Sequence, residues 1–243
     1  MDIKFLGIGA AYYPAWGSNS AFFMLEDHLY LLDCGETSFQ RIVSRPELAI
    51  CAGVTVLVTH LHADHIGSLS TFAAYCLQVL KKKICIATPD STLPHILSLM
   101  GVPPDCYHFQ EDFSRPFPGS LTVTPLRVHH ASEMECYGYF LSDGQDSVFY
   151  SGDANTLPKF AMEKLIAGEI SRIYQETTYE AGTHPSHCTL EHLLGLVPEE
   201  LRSRVICMHF GADFRDAVKT AGFGIAQAET VRVWEDPHEG PAQ

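Results

Sequence analysis

The segment HLHADH places His60, His62, Asp64 and His65 within six residues, directly after the apolar run VTVLVT. Imidazole and carboxylate are the side chains that divalent cations take as ligands. Gathering so many titratable groups at the end of a strand is costly unless something satisfies them, and a cation does so. The chain holds 13 histidines, and a lone one on a core or surface face needs no ligand, but this density in one segment points to a metal centre. One segment cannot complete it, because zinc takes about four ligands and a pair of ions takes more. Further candidates stand after other strand-like runs: His129 and His130 after LRV, Asp153 in FYSGDAN, and His209 after VICM. Ligands at the tips of rigid strands are held in fixed geometry.

The elements that must present these groups are legible in outline. DIKFLGIG and AFFMLEDHLYLLDCGE are rich in β-branched and aromatic residues and bounded by turn formers, and the second divides near Glu26 to His28 into a hairpin. After VTVLVTH, the residues Leu69, Phe72, Ala73, Cys76, Leu77 and Leu80 recur at the spacing of one helical face. ICIAT reads as a strand, and STLPHILSLMG as a short helix closed by Gly101. The second half repeats this rhythm: strands SLTVTPLRVH, CYGYFLS and SVFYSG, a helix opened by Pro158, strand SRIYQE, helix TLEHLLGLV, strand RVICMH, and a helix near Asp213 to Thr220. Strands that come first and then alternate with helices predict mixed sheets covered by helices. With no break in composition, one domain over residues 1–243 is expected, ending in a loose tail, DPHEGPAQ.

Composition narrows the function. The chain carries 16 Lys+Arg against 29 Asp+Glu, a formal charge of −13, and its one basic run is Lys81, Lys82 and Lys83, which reads as a solvated helix end. Tight contact with a nucleic-acid backbone needs a stripe of cations, so a long nucleic acid is not an expected partner. The 8 cysteines form no CxxC pair and mostly sit in apolar runs, as buried thiols of a reducing cytosol do. No run approaches about 18 uninterrupted apolar residues, and the first residues lack a secretory pattern, so an unexported cytoplasmic protein without membrane contact is expected.

HxHxDH, followed by a strand-end His, the Asp of SGD and another strand-end His, resembles the metallo-β-lactamase superfamily. The match runs from IKFLGIGAA and LLDCGE through CMHFGA, most of the chain. It implies an α/β fold, a four-layer αββα sandwich of two mixed sheets with a dinuclear site between them. Position by position, it implies that His60, His62 and His130 hold one metal, that Asp64, His65 and His209 hold the other, and that Asp153 bridges them. His129 is the alternative to His130, which is preferred as the last residue before the chain turns. Asp33 in LLDCGE is, by the same resemblance, a carboxylate behind the site that orients a ligand histidine. Zn²⁺ suits this ligand set best, and Mn²⁺ also fits.

Two cations sharing a hydroxide are suited to attack on an ester centre. The stretch YQETTYEAGTHPSHCTLEHL is similar to the ribonuclease Z and small-phosphodiesterase branch, with Glu-x-Thr after a strand and His-x-Thr opening a helix. The similarity assigns His187 to protonate the leaving oxygen or to steady the phosphoryl group, with Glu176 placed to orient it, and Asp64 counts with them as catalytic; Thr189 reads as the helix N-cap. His184 reads as an exposed loop residue. Transfer-RNA processing fits poorly, because the 23 residues from His130 to Asp153 leave no room for an RNA-holding arm. A small phosphodiester, a cyclic mononucleotide above all, fits better, with Tyr12, Tyr13 and Trp16 as candidates to stack on the base. In length and in the missing arm the chain resembles the compact anti-Pycsar phosphodiesterases, and a homodimer is implied. The alternatives are a transfer-RNA 3′ endonuclease, a thioester or lactam hydrolase, and a metal-binding protein without catalysis.

Overall fold

The computed structural model describes residues 1–115, 117–179 and 186–230, so the loop histidine His184 and the C-terminal tail lie outside the described residues. Strands β1 (Lys4–Gly7), β2 (Ser20–Leu25), β3 (His28–Leu32), β4 (Gly53–Leu57), β5 (Cys85–Ala87) and β6 (His108–Gln110) form one sheet in that order. The second sheet holds β7 (Thr122–Val128), β8 (Cys136–Ser142), β9 (Ser147–Tyr150), β10 (Arg172–Glu176), β11 (Val205–Met208) and β12 (Gly224–Ile225), again in chain order. Each sheet opens with antiparallel strands and continues with parallel ones, β3 to β6 and β9 to β12. This is the mixed-sheet arrangement the rhythm of the sequence predicts.

Helices cover the outer faces. α1 (Ser38–Ile42), α2 (Pro46–Ile50), α3 (Ala63–Ile66), α4 (Leu69–Gln78) and α5 (Leu93–Leu99) belong to the first half, and α6 (Lys159–Ala167), α7 (Leu190–Leu196) and α8 (Arg215–Thr220) to the second. The period-2 alternation of strands divides the core. Leu29 and Leu31 of β3 pack with Phe72, Ala73 and Cys76 of α4, whereas Tyr30 and Leu32 face the other way and join Tyr139, Phe149 and Tyr150 of the second sheet. Helix, sheet, sheet and helix therefore stack as four layers, and each fully buried Leu or Phe in them contributes about 1.5–3 kcal/mol.

Local signals end the elements where the sequence implies. Gly101 follows α5 at φ 85°, and Gly168 closes α6 in the left-handed conformation, its N–H reaching Lys164 O and Leu165 O. Strands β6 and β12 and the five-residue helices α1 and α2 escape the sequence reading, being shorter than the window over which periodicity accumulates; β5, as short as β6, is marked by the apolar run ICIAT. Lys82 departs from the solvated helix end expected of it: its ammonium reaches back to Cys51 O. All 8 cysteines are free thiols, six of them buried.

Two close approaches bring the strand tips together. A Cβ at Gly35 would lie 1.8 Å from the Asp64 carbonyl oxygen, and one at Gly152, whose φ is 56°, would lie 2.8 Å from Tyr137 O. The first contact seats the HLHADH loop against the end of β3. Gly35→Ala is therefore expected to destabilise the fold by about 3 kcal/mol or more, read as a drop in denaturant midpoint, because the obstruction is backbone and cannot swing aside. A variant with wild-type stability would refute this account of the loop.

Candidate metal centre

The carboxyl ends of the parallel strands from both sheets meet at one edge, where open α/β sheets place ligands. His60, His62, Asp64 and His65 lie just beyond β4 and into α3. His130 lies beyond β7, Asp153 beyond β9, and His209 immediately after β11, at φ 60°. Seven side chains predicted from four separate stretches are brought to one place. His60, His62 and His130 form one group, and Asp64, His65, Asp153 and His209 another.

Asp153 Oδ2 is the point of convergence. It lies 3.3 Å from His65 Nε2, 3.4 Å from His209 Nε2, 3.6 Å from His130 Nε2 and 3.8 Å from His60 Nε2. His62 Nδ1 lies 3.0 Å from His60 Nε2 and 3.2 Å from His130 Nε2. Asp64 Oδ2 stands 3.3 Å from His209 Nε2 and 3.4 Å from His65 Nε2. Two atoms bound to one tetrahedral zinc at about 2.05 Å stand about 3.3 Å apart, so these separations are those of neighbouring ligands. The imidazole of His130 turns into the cluster, while His129 is exposed and serves through its backbone carbonyl, which accepts from Asn155 N at 2.8 Å.

Groups behind the cluster set which nitrogen faces it. Asp33, fully buried at φ 62°, accepts from Thr59 N at 2.8 Å, from the Thr59 hydroxyl at 2.9 Å and from His65 Nδ1 at 2.9 Å. Having given its proton to Asp33, the Thr59 hydroxyl is left to accept from His60 Nδ1 at 3.0 Å. His130 Nδ1 donates to Ser186 O at 2.9 Å. In each case the Nδ1 proton is spent outward, and the Nε2 lone pair points inward.

That geometry tests whether divalent cations fit. Among the described residues, His65 Nε2 and Asp153 Oδ1 are buried with no hydrogen-bond partner although ligand-type atoms crowd around them. Burial pushes the His65 and His209 imidazoles down, but the carboxylates around them, Asp153 foremost, outweigh it and hold both above the usual histidine range. Asp153 resists its own burial and is held well below the usual carboxylate range, by His209 first. The donor set fits cations at this place.

His187 sits beside the cluster, its ring centre 5.0 Å from that of His130 and 5.6 Å from that of His209. Its Nδ1 meets Glu176 Oε2 at 3.3 Å. Glu176 is the last residue of β10, fully buried, and its other oxygen accepts from Cys188 N at 2.8 Å. The Thr189 side chain caps α7 by accepting from His192 N at 3.0 Å, as its place before the apolar run implies. Burial pushes the Glu176 carboxyl up. Burial pushes His187 down, but Glu176 more than restores it and the imidazole is held above its ordinary value.

A cavity of about 820 Å³ opens onto these groups, lined by His62, Asp64, His130, Asp153, His187 and His209 and rimmed by Tyr12, Glu36, Ser132 and Glu133. Of the three loop aromatics, Tyr12 stands on this rim, 98% exposed. Tyr13 and Trp16 instead pack edge to face, and Trp16 packs on Phe210, so they hold the loop down. Sequence reasoning misses Thr59, Ser186, Glu36 and Glu133. A Thr immediately before HxH is the one local signal that would have marked Thr59.

An αββα sandwich with His and Asp clusters at the shared strand edge defines a metal-dependent hydrolase of the metallo-β-lactamase fold. The chain belongs to the beta-lactamase superfamily: residues 28–210 match the family model described as a beta-lactamase superfamily domain. It is similar to the anti-Pycsar protein Apyc1 of Bacillus phage BSP38, at 28% identity over 91% of this chain and 93% of the relative. Its fold matches the metallo-beta-lactamase fold protein YhfI from Bacillus subtilis with a TM-score of 0.72, at 15% identity over 94% of this chain and 96% of the other. It also matches the short form of human tRNase Z with a TM-score of 0.65, at 20% identity over 96% and 98% of the two chains.

If Asp33 sets the orientation of His65 and, through Thr59, of His60, Asp33→Asn should weaken metal binding about 10- to 100-fold, while Asn still tolerates the left-handed backbone. Chelator competition followed by metal analysis measures this. Affinity within threefold of wild type would remove Asp33 from that role.

Proposed function

We propose that the protein is a phosphodiesterase that hydrolyses a small cyclic nucleotide, with a cyclic mononucleotide such as cCMP, cUMP, cAMP or cGMP as the substrate class. The observation that carries this is the pairing of the metal cluster with the His187–Glu176 couple in one cavity, a proton donor beside the cations. In this reading His60, His62 and His130 would hold one divalent cation, and Asp64, His65 and His209 a second, with Asp153 available to both. Zn²⁺ suits the ligands, and Mn²⁺ is the second choice. When bound, such ions supply Lewis acidity at a phosphoryl oxygen and acidify a water.

The remaining work falls to side chains. An alkoxide is a poor leaving group, and His187, kept protonated by Glu176, delivers the proton to the departing oxygen. Glu176 acts through His187, as a positioning residue: one carboxylate oxygen holds Nδ1 and the other is pinned by Cys188 N. Tyr12 offers a ring on the rim against which a base can stack. The cavity volume suits a mononucleotide, since small-molecule sites run to about 300–1,000 Å³. The similarity to anti-Pycsar proteins along nearly the whole chain supports this reading over transfer-RNA processing. A small soluble substrate also agrees with the charge of −13, and no helix among the described residues is long and apolar enough to cross a membrane. The reading includes a homodimer, supported by resemblance, and a cytoplasmic location, supported by the free thiols.

A substrate panel tests it: bis(p-nitrophenyl) phosphate, cyclic mononucleotides, cyclic dinucleotides, precursor transfer RNA, a thioester and a lactam, with and without Mn²⁺. Cleavage of cyclic mononucleotides, abolished by chelator and by His62→Ala or Asp64→Ala, is expected. Turnover of the thioester or lactam alone would overturn the phosphodiester assignment.

Leaving-group dependence tests His187 separately. His187→Ala should cost about 10²- to 10⁴-fold in kcat on a cyclic mononucleotide, and far less on bis(p-nitrophenyl) phosphate, whose phenolate departs without a proton. Glu176→Gln should show the same pattern at smaller magnitude. Equal losses on both substrates would mean that His187 is not a proton donor.

A further inference from the structure

Among the described residues, no Lys or Arg lines the cavity, and two carboxylates, Glu36 and Glu133, stand on its rim. We propose that Glu36 and Glu133 form a charge filter that admits singly charged phosphodiesters and disfavours ligands carrying a second negative charge, the enzyme's own monoester product among them. The inference deepens the phosphodiester reading and rests on it.

Formal charge supports the assignment. Two divalent cations bring four positive charges. Asp64 and Asp153 inside, with Glu36 and Glu133 at the mouth, bring four negative ones, while a protonated His187 is offset by Glu176 behind it. Among these groups the charges balance before a ligand arrives, Asp33 behind His65 adds one more negative charge, and every further charge on the ligand is opposed by the rim. Hydrolysis of a cyclic diester adds one water: a P–O bond to the water oxygen forms as one P–O bond of the ring breaks, and the departing ring oxygen takes a proton. The monoanion becomes a monoester whose second ionisation, near pH 6, makes it a dianion above neutrality. Substrate and product then differ by one unit of charge at the same place, and the rim acts on that difference.

The carboxylates are held there by the fold. Glu36 follows Gly35, the residue pressed against the Asp64 carbonyl, and its side chain lies against Gly67 at the end of α3. Glu133 sits in the turn after His130, where its carboxylate accepts from the Ser132 hydroxyl at 3.1 Å. Both are exposed, so their influence is Coulombic and screened by salt. Exposure also makes their exchange for Gln mild for the fold.

Binding to the metal-loaded protein is the direct test, with uridine 5′-monophosphate and its P-methyl ester as probes, since these share base and sugar and differ by one charge. By calorimetry at pH 8 and low ionic strength, the double variant Glu36→Gln/Glu133→Gln should bind the methyl ester about threefold tighter and the monophosphate about tenfold tighter, because a Coulombic energy scales with ligand charge. Both gains should shrink toward unity in about 0.5 M salt, where the screening length falls to a few ångströms. Glu133→Lys should extend the trend.

Equal gains for the two probes, no gain, or gains that persist in high salt would each overturn the filter. Should the wild-type protein cleave no phosphodiester while the two affinities still separate by charge, the proposed activity fails and the filter stands. Cleavage of cyclic mononucleotides with unseparated affinities would leave the activity in place and remove the filter.

Discussion

Five imidazole nitrogens and two carboxylates converge on one another at the shared edge of the two sheets. Asp33, Thr59 and the Ser186 carbonyl take the Nδ1 protons of His65, His60 and His130, so the Nε2 atom of each is the nitrogen turned inward. Imidazole nitrogens and carboxylate oxygens packed about one ligand–ligand edge apart are costly to bury until protons or cations join them. That unsatisfied convergence is the constraint the rest of the structure serves. It explains a fully buried Asp33 held in a left-handed conformation, and Gly35 and Gly152 at contacts too close for a side chain.

The candidate ligands are divided between the two halves of the sandwich. His60, His62, Asp64 and His65 follow a strand of the first sheet, and His130, Asp153 and His209 follow strands of the second. The site therefore exists only when the sheets are in register, and polar bonds across the interface maintain that register. Asn19 Nδ2 donates to the Tyr150 hydroxyl at 2.8 Å, and the Tyr139 hydroxyl donates to Val58 O. A cation pair spanning the two groups would add to the same interface, which couples metal binding to folding.

Around this centre the cavity is acidic and aromatic rather than basic, which sets it apart from a surface that tracks a nucleic-acid backbone. The loop after β1 shows how one short stretch serves two ends. Tyr13 and Trp16 anchor it on Phe210, and the anchored loop holds Tyr12 out at the rim. His187 is fixed alike: Thr178 N donates to Cys188 O and Leu190 N donates to Thr178 O, so that the imidazole stands on a fixed base next to Glu176.

Local chemistry made much of this readable without coordinates. Ligand types at i, i+2, i+4 and i+5 after an apolar strand, the 3, 4, 7 spacing of α4, and Thr189 before an apolar run are all determined within a few residues, as backbone geometry and capping are. Strands β6 and β12 carry too few residues for a pattern and form because a neighbouring strand offers hydrogen bonds. The choice of His130 over His129, the reach of Asp33 through Thr59 to two histidines, the separation of Tyr12 from Tyr13 and Trp16, and the approach of Glu36 and Glu133 to one cavity were decided only by tertiary structure. Each depends on where a side chain points once two sheets have packed, and the chain order of residues brought together across more than a hundred positions holds no record of that direction.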